Sequence, residues 1–515
     1  MIEPRRHAAA CLAIVSLALT LGCATNPVTG KSELMLISEA QELSIGQQQY
    51  VPMQQAEGGR YDVDPELTAY VAGVGERLAA VGDRDLPYEF VILNNNVPNA
   101  WALPGGKIAI NRGLLTELHS EAELAAVLGH EIVHAAARHS AQQMSRGILL
   151  QGVVLGTAIA TSDSDYGMLA VGGAALGSQL VNARYGRDAE LESDAYGMRY
   201  MSRAGYDPSG AVTLQETFVR LSEGRRQDWL SGLFASHPPS RERVEANVRT
   251  AAELPPGGQL GVDRYEAAMA RTREAAPAYE AYDQGRKALA EERTADALRL
   301  ANQAMKLFPD EANFYSLRGD VRFVQNDYDK AIENYDSAIR RRPDFFYYHL
   351  QRGLARRETG DVDAAVSDLE NANALLPTAP AHYTLGLIEE SRANRDKALG
   401  HYRVVAQSGG DYGKAAQARV VRYELPSAAQ RYVPFRCDAG GDGSLVVTIR
   451  NDAGIAIRDV EIAVQYGEAS GARRELRHTL RGPFEPGEVA QLATGLGSYT
   501  SAAGCPVKNS GVNYG

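Results

Sequence analysis

The stretch Ser120-Glu121-Ala122-Glu123-Leu124-Ala125-Ala126-Val127-Leu128-Gly129-His130-Glu131-Ile132-Val133-His134 decides how this chain is read. It predicts a helix that runs on to Ser140. Ser120 is a good N-cap, and Glu123 three residues later suits a capping box. Leu124, Val127, Leu128 and Ile132 recur at helical spacing. His130 and His134 then lie one turn apart on one face. Two imidazoles so placed can grip one zinc ion at about 2.0 to 2.1 Å each. Glu131 projects beside them and can take a proton from a zinc-bound water, then deliver it to a leaving amine. The competing reading of these five residues is a helix with one buried and one exposed histidine. His139, five residues beyond His134, faces elsewhere on a continuous helix.

A catalytic zinc needs a third protein ligand and an open position. Glu190 is the best candidate, with Asp194 one helical turn further on. Asp194 could accept a hydrogen bond from a liganding imidazole and so fix its tautomer. Taken alone, this segment reads better as a solvated acidic helix face. Tyr88 to Leu93 and Lys107 to Ile110 read as strands, the second after the turn residues Pro104-Gly105-Gly106. Gly106, Ile108 and Ile110 could present an exposed sheet edge on which an unfolded substrate strand pairs. The alternative is a hairpin that only supports the core.

Four pieces occur in one order: Asn99-Ala100-Trp101-Ala102-Leu103-Pro104-Gly105-Gly106, Gly113-Leu114-Leu115, Glu121 through His134, and Glu190 to Asp194. In this the region of about 225 residues before the repeats resembles the gluzincin metallopeptidases of family 48, which include CAAX prenyl proteases, the membrane protease HtpX and the periplasmic quality-control protease BepA. The resemblance implies an α+β zincin-type domain with one Zn2+ per chain. It implies His130, His134 and Glu190 as ligands, with Asp194 as the helical companion of Glu190, and Glu131 as the catalytic base. It also places the substrate edge at Gly106, Ile108 and Ile110. His237, in Ser236-His237-Pro238-Pro239, reads by itself as a turn histidine; the resemblance implies a regulatory fourth ligand that holds the enzyme shut.

Working outward, Arg5 and Arg6 precede an apolar run from Ala8 to Leu21, too short to span a bilayer comfortably. It ends at Leu21-Gly22-Cys23-Ala24, which resembles a lipoprotein signal with Cys23 as the acylated residue. The alternative is an ordinary cleaved signal. An exported compartment also permits a disulfide between Cys437 and Cys505. Gly147 to Leu180 is apolar but interrupted by Asp163 and Asp165, which favours buried or groove-lining helices over a membrane hairpin.

Beyond the peptidase-like region a period of 34 residues appears: Gly285, Gly319 and Gly353; Ala297, Ala331 and Ala365; Ala304, Ala338 and Ala372; Pro309, Pro343 and Pro377. This is the length of the tetratricopeptide repeat, whose stacked helix pairs form a solenoid with a concave binding face. A fourth copy at Gly386, Ala398 and Tyr402 has slipped by one residue. The last stretch, with Leu445 to Ile449 and Val460 to Val464, reads as a small β-sandwich, an end that departs from the BepA layout.

The expected fold is therefore multidomain and mainly α. It comprises a signal at 1–22, an α+β zincin-type peptidase at 30–255, an α-solenoid of repeats at 276–410 and a small β-rich domain at 427–515. The formal net charge of -11 argues against nucleic acid as a partner. The expected function is a zinc metalloendopeptidase of the bacterial envelope acting on unfolded or misassembled proteins. It would sit in the periplasm, held to the outer membrane by a lipid anchor, with the repeats recruiting clients or the outer-membrane assembly machinery. The alternative is a repeat-based chaperone or assembly factor that cuts rarely. The Glu131→Gln protein discriminates the two, and zinc quantification decides a further alternative, a structural scaffold without metal.

Overall fold

The computed structural model describes residues 23–151, 171, 185–223, 236–441, 444–467, 473–494 and 507–513. The signal segment, Cys505 and nearly all of the apolar Gly147–Leu180 stretch lie outside the described residues. The chain packs into two compact units, 1–381 and 382–515.

The first unit opens with a short hairpin, β1 (Cys23–Thr25) and β2 (Ser32–Leu34), followed by helices α1 (Glu39–Ala56) and α2 (Pro65–Ala79). A small sheet follows: β3 (Glu89–Leu93), β4 (Ala100–Leu103) and β5 (Lys107–Asn111). Its order is β3-β5-β4, with β3 parallel and β4 antiparallel to β5. This corrects the edge expected at Gly106, Ile108 and Ile110. That strand is central, and both of its backbone edges are taken by neighbours. Ile108 is 0% and Ile110 1% exposed, so these side chains belong to the core. The outer strands are β3, bridged at its end by residues 59–61, and β4, which has no second strand partner among the described residues.

A short turn of helix, α3 (Arg112–Leu115), leads to α4 (Glu121–Ala136), the helix predicted from sequence. Ser120 caps it, accepting from the Glu123 backbone N–H at 3.1 Å. The Glu123 carboxylate reaches back one residue further than a capping box requires and accepts from the His119 N–H at 2.7 Å. The helix stops at Ala136 rather than Ser140. Arg138 takes φ 63°, and a new helix, α5 (His139–Gln151), starts in another direction. α6 (Arg187–Arg203), α7 (Ser209–Glu223) and α8 (Arg241–Glu253) complete the peptidase-like part. One apolar core joins α2, the sheet, α4 and α6.

The repeats then follow without a break in packing. α9 (Val262–Ala290), α10 (Thr294–Leu307), α11 (Ala312–Val324), α12 (Tyr328–Arg341), α13 (Phe346–Glu358) and α14 (Val362–Leu375) form successive pairs. The periodic alanines Ala297, Ala304, Ala331, Ala338, Ala365 and Ala372 are all fully buried where helices meet. The helix α15 (Ala379–Ser391) reaches into the second unit, which continues with α16 (Arg395–Val405) and α17 (Gly410–Tyr432). Among the described residues six strands follow, in two three-stranded antiparallel sheets. Val447 and Ile449 of one and Val460, Ile462 and Val464 of the other share a core, the expected small sandwich. Cys437 is disulfide-bonded. Among the described residues no helix is long and apolar enough to cross a membrane.

Candidate active site

α4 and α6 cross at two glycines, and this crossing builds the site. A Cβ on Gly197 would lie 3.0 Å from the His130 backbone nitrogen, and one on Gly129 would lie 3.2 Å from the Gly197 carbonyl oxygen. Glu190 and Asp194, two turns and one turn before Gly197, therefore face His130 and His134 at short range. His130 Nε2 lies 3.0 Å from His134 Nε2, 3.6 Å from Glu190 Oε2 and 3.3 Å from His237 Nδ1. His134 Nε2 is 3.5 Å from Glu190 Oε1, which lies 3.0 Å from His237 Nδ1. Four ligand atoms thus gather within 4.8 Å of one another, all from buried residues.

These separations fit a divalent cation. A tetrahedron with arms of about 2.0 to 2.1 Å has edges of about 3.3 Å. The donor set, imidazole nitrogens and a carboxylate oxygen, suits zinc chemistry. Buried Glu131 Oε2 has no hydrogen-bond partner within the protein, as expected of an acceptor meant for something that enters the site.

The charges are tuned for this purpose. Burial pushes the Glu131 carboxyl up from its ordinary range, and the nearby positive character of His237 only partly opposes this. Burial holds the His134 imidazole well below its usual value, hence neutral and ready to bind a metal. Burial raises Asp194 too, but the Arg243 guanidinium outweighs it and keeps the carboxyl low. Arg243 donates from Nε and Nη2 to Asp194, each at 2.7 Å. The ionised Asp194 then accepts from His130 Nδ1 at 2.9 Å, so Nε2 is the nitrogen turned to the cluster.

The sequence-derived residues His130, Glu131, His134, Glu190, Asp194 and His237 all come together. Gly106, Ile108 and Ile110 do not. Four residues that sequence reasoning did not place there join them: Arg243, His139, Glu192 and Tyr185. Arg243 also lies 2.8 Å from Glu190 Oε2, an ion pair without hydrogen-bond geometry, and donates to the Pro238 carbonyl at 3.3 Å. No spacing rule marks it; its proximity to His237 in sequence is the one available hint. His139 does not face elsewhere: its Nδ1 meets His134 Nδ1 at 2.9 Å, because the break at Arg138 swings it back. Glu192 lies behind it, with Oε1 3.3 Å from His139 Nε2. Tyr185 stacks on the His134 ring with centroids 4.0 Å apart.

Residues 65–251 match the model of Peptidase family M48. Over 183 residues the chain is 31% identical to Metalloprotease YcaL of Escherichia coli (strain K12), covering 67% of that protein and 33% of this one. The chain belongs to peptidase family M48. M48 membership implies a bound metal, which the cluster at His130, His134, Glu190 and His237 fits. Other M48 relatives include the Beta-barrel assembly-enhancing protease of Escherichia coli (strain K12), 28% identical over 254 residues, 48% of this chain and 51% of that one. Mitochondrial metalloendopeptidase OMA1 of Schizosaccharomyces pombe is 36% identical over 183 residues, 34% of this chain and 51% of that one. The chain thus spans about half the length of several curated relatives it matches. Residues 282–344 and 317–380 match the tetratricopeptide repeat. A solved structure titled MamA RS-1 ArsTM double mutant aligns at a TM-score of 0.26 with 18% identity, covering 29% of this chain and 83% of that one.

Proposed function

We propose that this M48 protein is a zinc-dependent metalloendopeptidase of the bacterial envelope that hydrolyses peptide bonds of unfolded or misassembled proteins. The observation that carries this reading is the convergence of His130, His134 and Glu190 on one centre, with the unpartnered Glu131 Oε2 beside it. His130, His134 and Glu190 would hold the zinc. Lewis acidity toward the scissile carbonyl and toward water is the chemistry expected of it when bound. Glu131 accepts the proton of the attacking water and delivers it to the departing amine; its raised pKa favours both halves of that transfer. Asp194, itself clamped by Arg243, fixes the tautomer of His130. An extended client strand pairs with the free side of β4 at Ala100–Leu103, which lies beside α4.

His237 occupies the remaining corner of the cluster. This supports a latent state in which a client must displace it, and it keeps alive the second reading of a repeat-based assembly factor with little proteolysis. The printed name of one relative, Beta-barrel assembly-enhancing protease, supports a place in β-barrel assembly, with the repeats as the recruiting surface. Anchoring through Cys23 belongs to the same reading, and mass spectrometry of the mature N-terminus checks it.

One assay tests the whole. Purified protein is given an unfolded casein-type substrate, with zinc measured in parallel. We expect one zinc per chain, cleavage abolished by chelator, and a loss of at least about 100-fold in Glu131→Gln with zinc retained. His237→Ala should cleave faster than the parent. Undiminished cleavage by Glu131→Gln would overturn the mechanism. Complementation of a deletion strain by Glu131→Gln would instead favour the assembly-factor reading.

A further inference from the structure

The last helix pair of the repeats, α15 and α16, holds two histidines face to face. The helices approach closely because a glycine meets an aromatic ring: a Cβ on Gly386 would stand 2.6 Å from Tyr402 Cε1. Tyr383 packs on Tyr402 with centroids 5.7 Å apart. Each of these tyrosines follows a histidine in sequence, His382 and His401. The two imidazoles meet Nδ1 to Nδ1 at 3.0 Å. The matching positions one repeat earlier, set off from Gly353 as these are from Gly386, hold His349 and Asp368. There Arg352 and Arg356 donate to Asp368 at 2.8 and 2.9 Å, and His349 Nδ1 stands 3.8 Å from it. In the last pair Leu385 and Glu389 take the places of those arginines. An arginine–carboxylate pairing has thus given way to two imidazoles.

Two neutral imidazoles at this distance have two uses. One is an N–H···N hydrogen bond, in which one Nδ1 carries a proton. The other is a shared cation, at which both Nδ1 lone pairs point. Two donors at right angles on arms of about 2.0 to 2.1 Å stand about 2.9 Å apart, and at the tetrahedral angle about 3.3 Å. The separation equals that of His130 Nε2 and His134 Nε2 in the peptidase cluster, also 3.0 Å. Burial, and then the nearness of His401, hold His382 down at about 4, so it is neutral at physiological pH, as a ligand must be. We propose that His382 and His401 form a second metal site, which takes a borderline divalent cation such as Zn2+ or Ni2+ and fastens α15 to α16. No third histidine, cysteine or carboxylate among the described residues completes the set. Both histidines are half-buried, so water fills the remaining positions and the ion exchanges freely.

The test takes the full chain, its peptidase cluster first saturated with zinc, and titrates it with further Zn2+ in a calorimeter. We expect a second ion to bind with micromolar affinity. His382→Gln and His401→Gln should each weaken that step by about tenfold or more, which is about 1.4 kcal/mol or more, with circular dichroism unchanged. Added Zn2+ should raise the melting temperature of the parent and of neither variant. A measurement on the parent alone does not depend on the variants folding. Zn2+ should protect His382 and His401 from diethyl pyrocarbonate, read by peptide mass mapping, because a ring bound through Nδ1 keeps its proton on Nε2. Absence of the second ion, or its full affinity in both variants, would overturn the proposal and leave a hydrogen bond between two rings. So would equal modification of the two histidines with and without Zn2+. None of these outcomes depends on proteolysis or on the residues of the peptidase cluster, so failure here leaves the peptidase reading standing.

Discussion

An interval of five places His134 and His139 on different faces of a continuous helix, and this chain escapes the rule by breaking the helix between them. Arg138, with φ 63°, is not a glycine, and no proline follows, so the sequence gives no warning. The break aligns hydrogen bonds with one consistent direction. If His134 Nε2 faces the metal, its Nδ1–H donates to His139 Nδ1 at 2.9 Å. His139 Nε2–H then donates to Glu192 Oε1 at 3.3 Å, which also accepts from Asn26 Nδ2 at 3.1 Å. The carboxylate at the far end sets the tautomer of both rings. His130 has its own counterpart in Asp194 and Arg243. We therefore predict that His139→Ala weakens zinc binding by about 10- to 100-fold, measured by competition with a chromogenic chelator, while circular dichroism stays unchanged. Glu192→Gln should weaken it less. Parental affinity in His139→Ala would reduce this chain to ordinary packing. His130, Glu131 and His134 were legible because their geometry is local; Arg243 was not, since its carboxylate partners lie 49 residues or more away in sequence.

At the scale of elements, local pattern gave the strands and helices, while neighbour order stayed hidden. The alternation at Lys107–Asn111 marks a strand, yet nothing in it distinguishes a central strand from an edge. β3 and β4 arrive on either side from separate stretches of chain and enclose it. The crossing of α4 and α6 was hidden for the same reason. Gly129 reads as an interruption in a helix, and its role appears only when Gly197 lies against it. There the two backbones touch, and any side chain at Gly197 meets His130 N. We expect Gly197→Leu to push the helices apart, destabilise the protein by about 1 to 3 kcal/mol as overpacking does, and weaken zinc binding because Glu190 and Asp194 ride on the displaced helix. Urea denaturation and chelator competition read the two effects separately. Lost stability with unchanged zinc affinity would mean that the crossing supports the fold but does not set the ligand distances.

On the scale of the first unit, the repeat period was plain because small residues recur at one spacing, whereas the junction between peptidase and repeats was not. Its partners lie from 187 to 291 residues apart in sequence. Arg342, at the end of α12, is buried and donates to the carbonyls of Arg60 at 2.8 Å and Gly58 at 3.1 Å. Its guanidinium lies over the Phe345 ring, 4.2 Å from the centroid. Gln55 of α1 holds the next turn, donating to the Asp344 carbonyl at 2.7 Å and accepting from the Phe346 N–H at 2.8 Å. Asn94 and Asn96, in the loop from β3 to β4, donate to Glu311 at 2.9 Å and Asp283 at 2.7 Å. The repeats thus grip the loop that delivers β4, the strand on which a client would pair. Arg342→Ala strands the buried Gly58 carbonyl, at a cost of about 1 to 3 kcal/mol, and frees the part-buried carbonyl of Arg60. Hydrogen–deuterium exchange should then quicken at residues 55–60, at 94–96 and at 342–348, while 121–136 stays protected. Faster exchange confined to 342–348 would show that the repeats are fastened to the peptidase without governing its substrate edge; spread into 94–96 would show that what binds the repeats can be felt at β4.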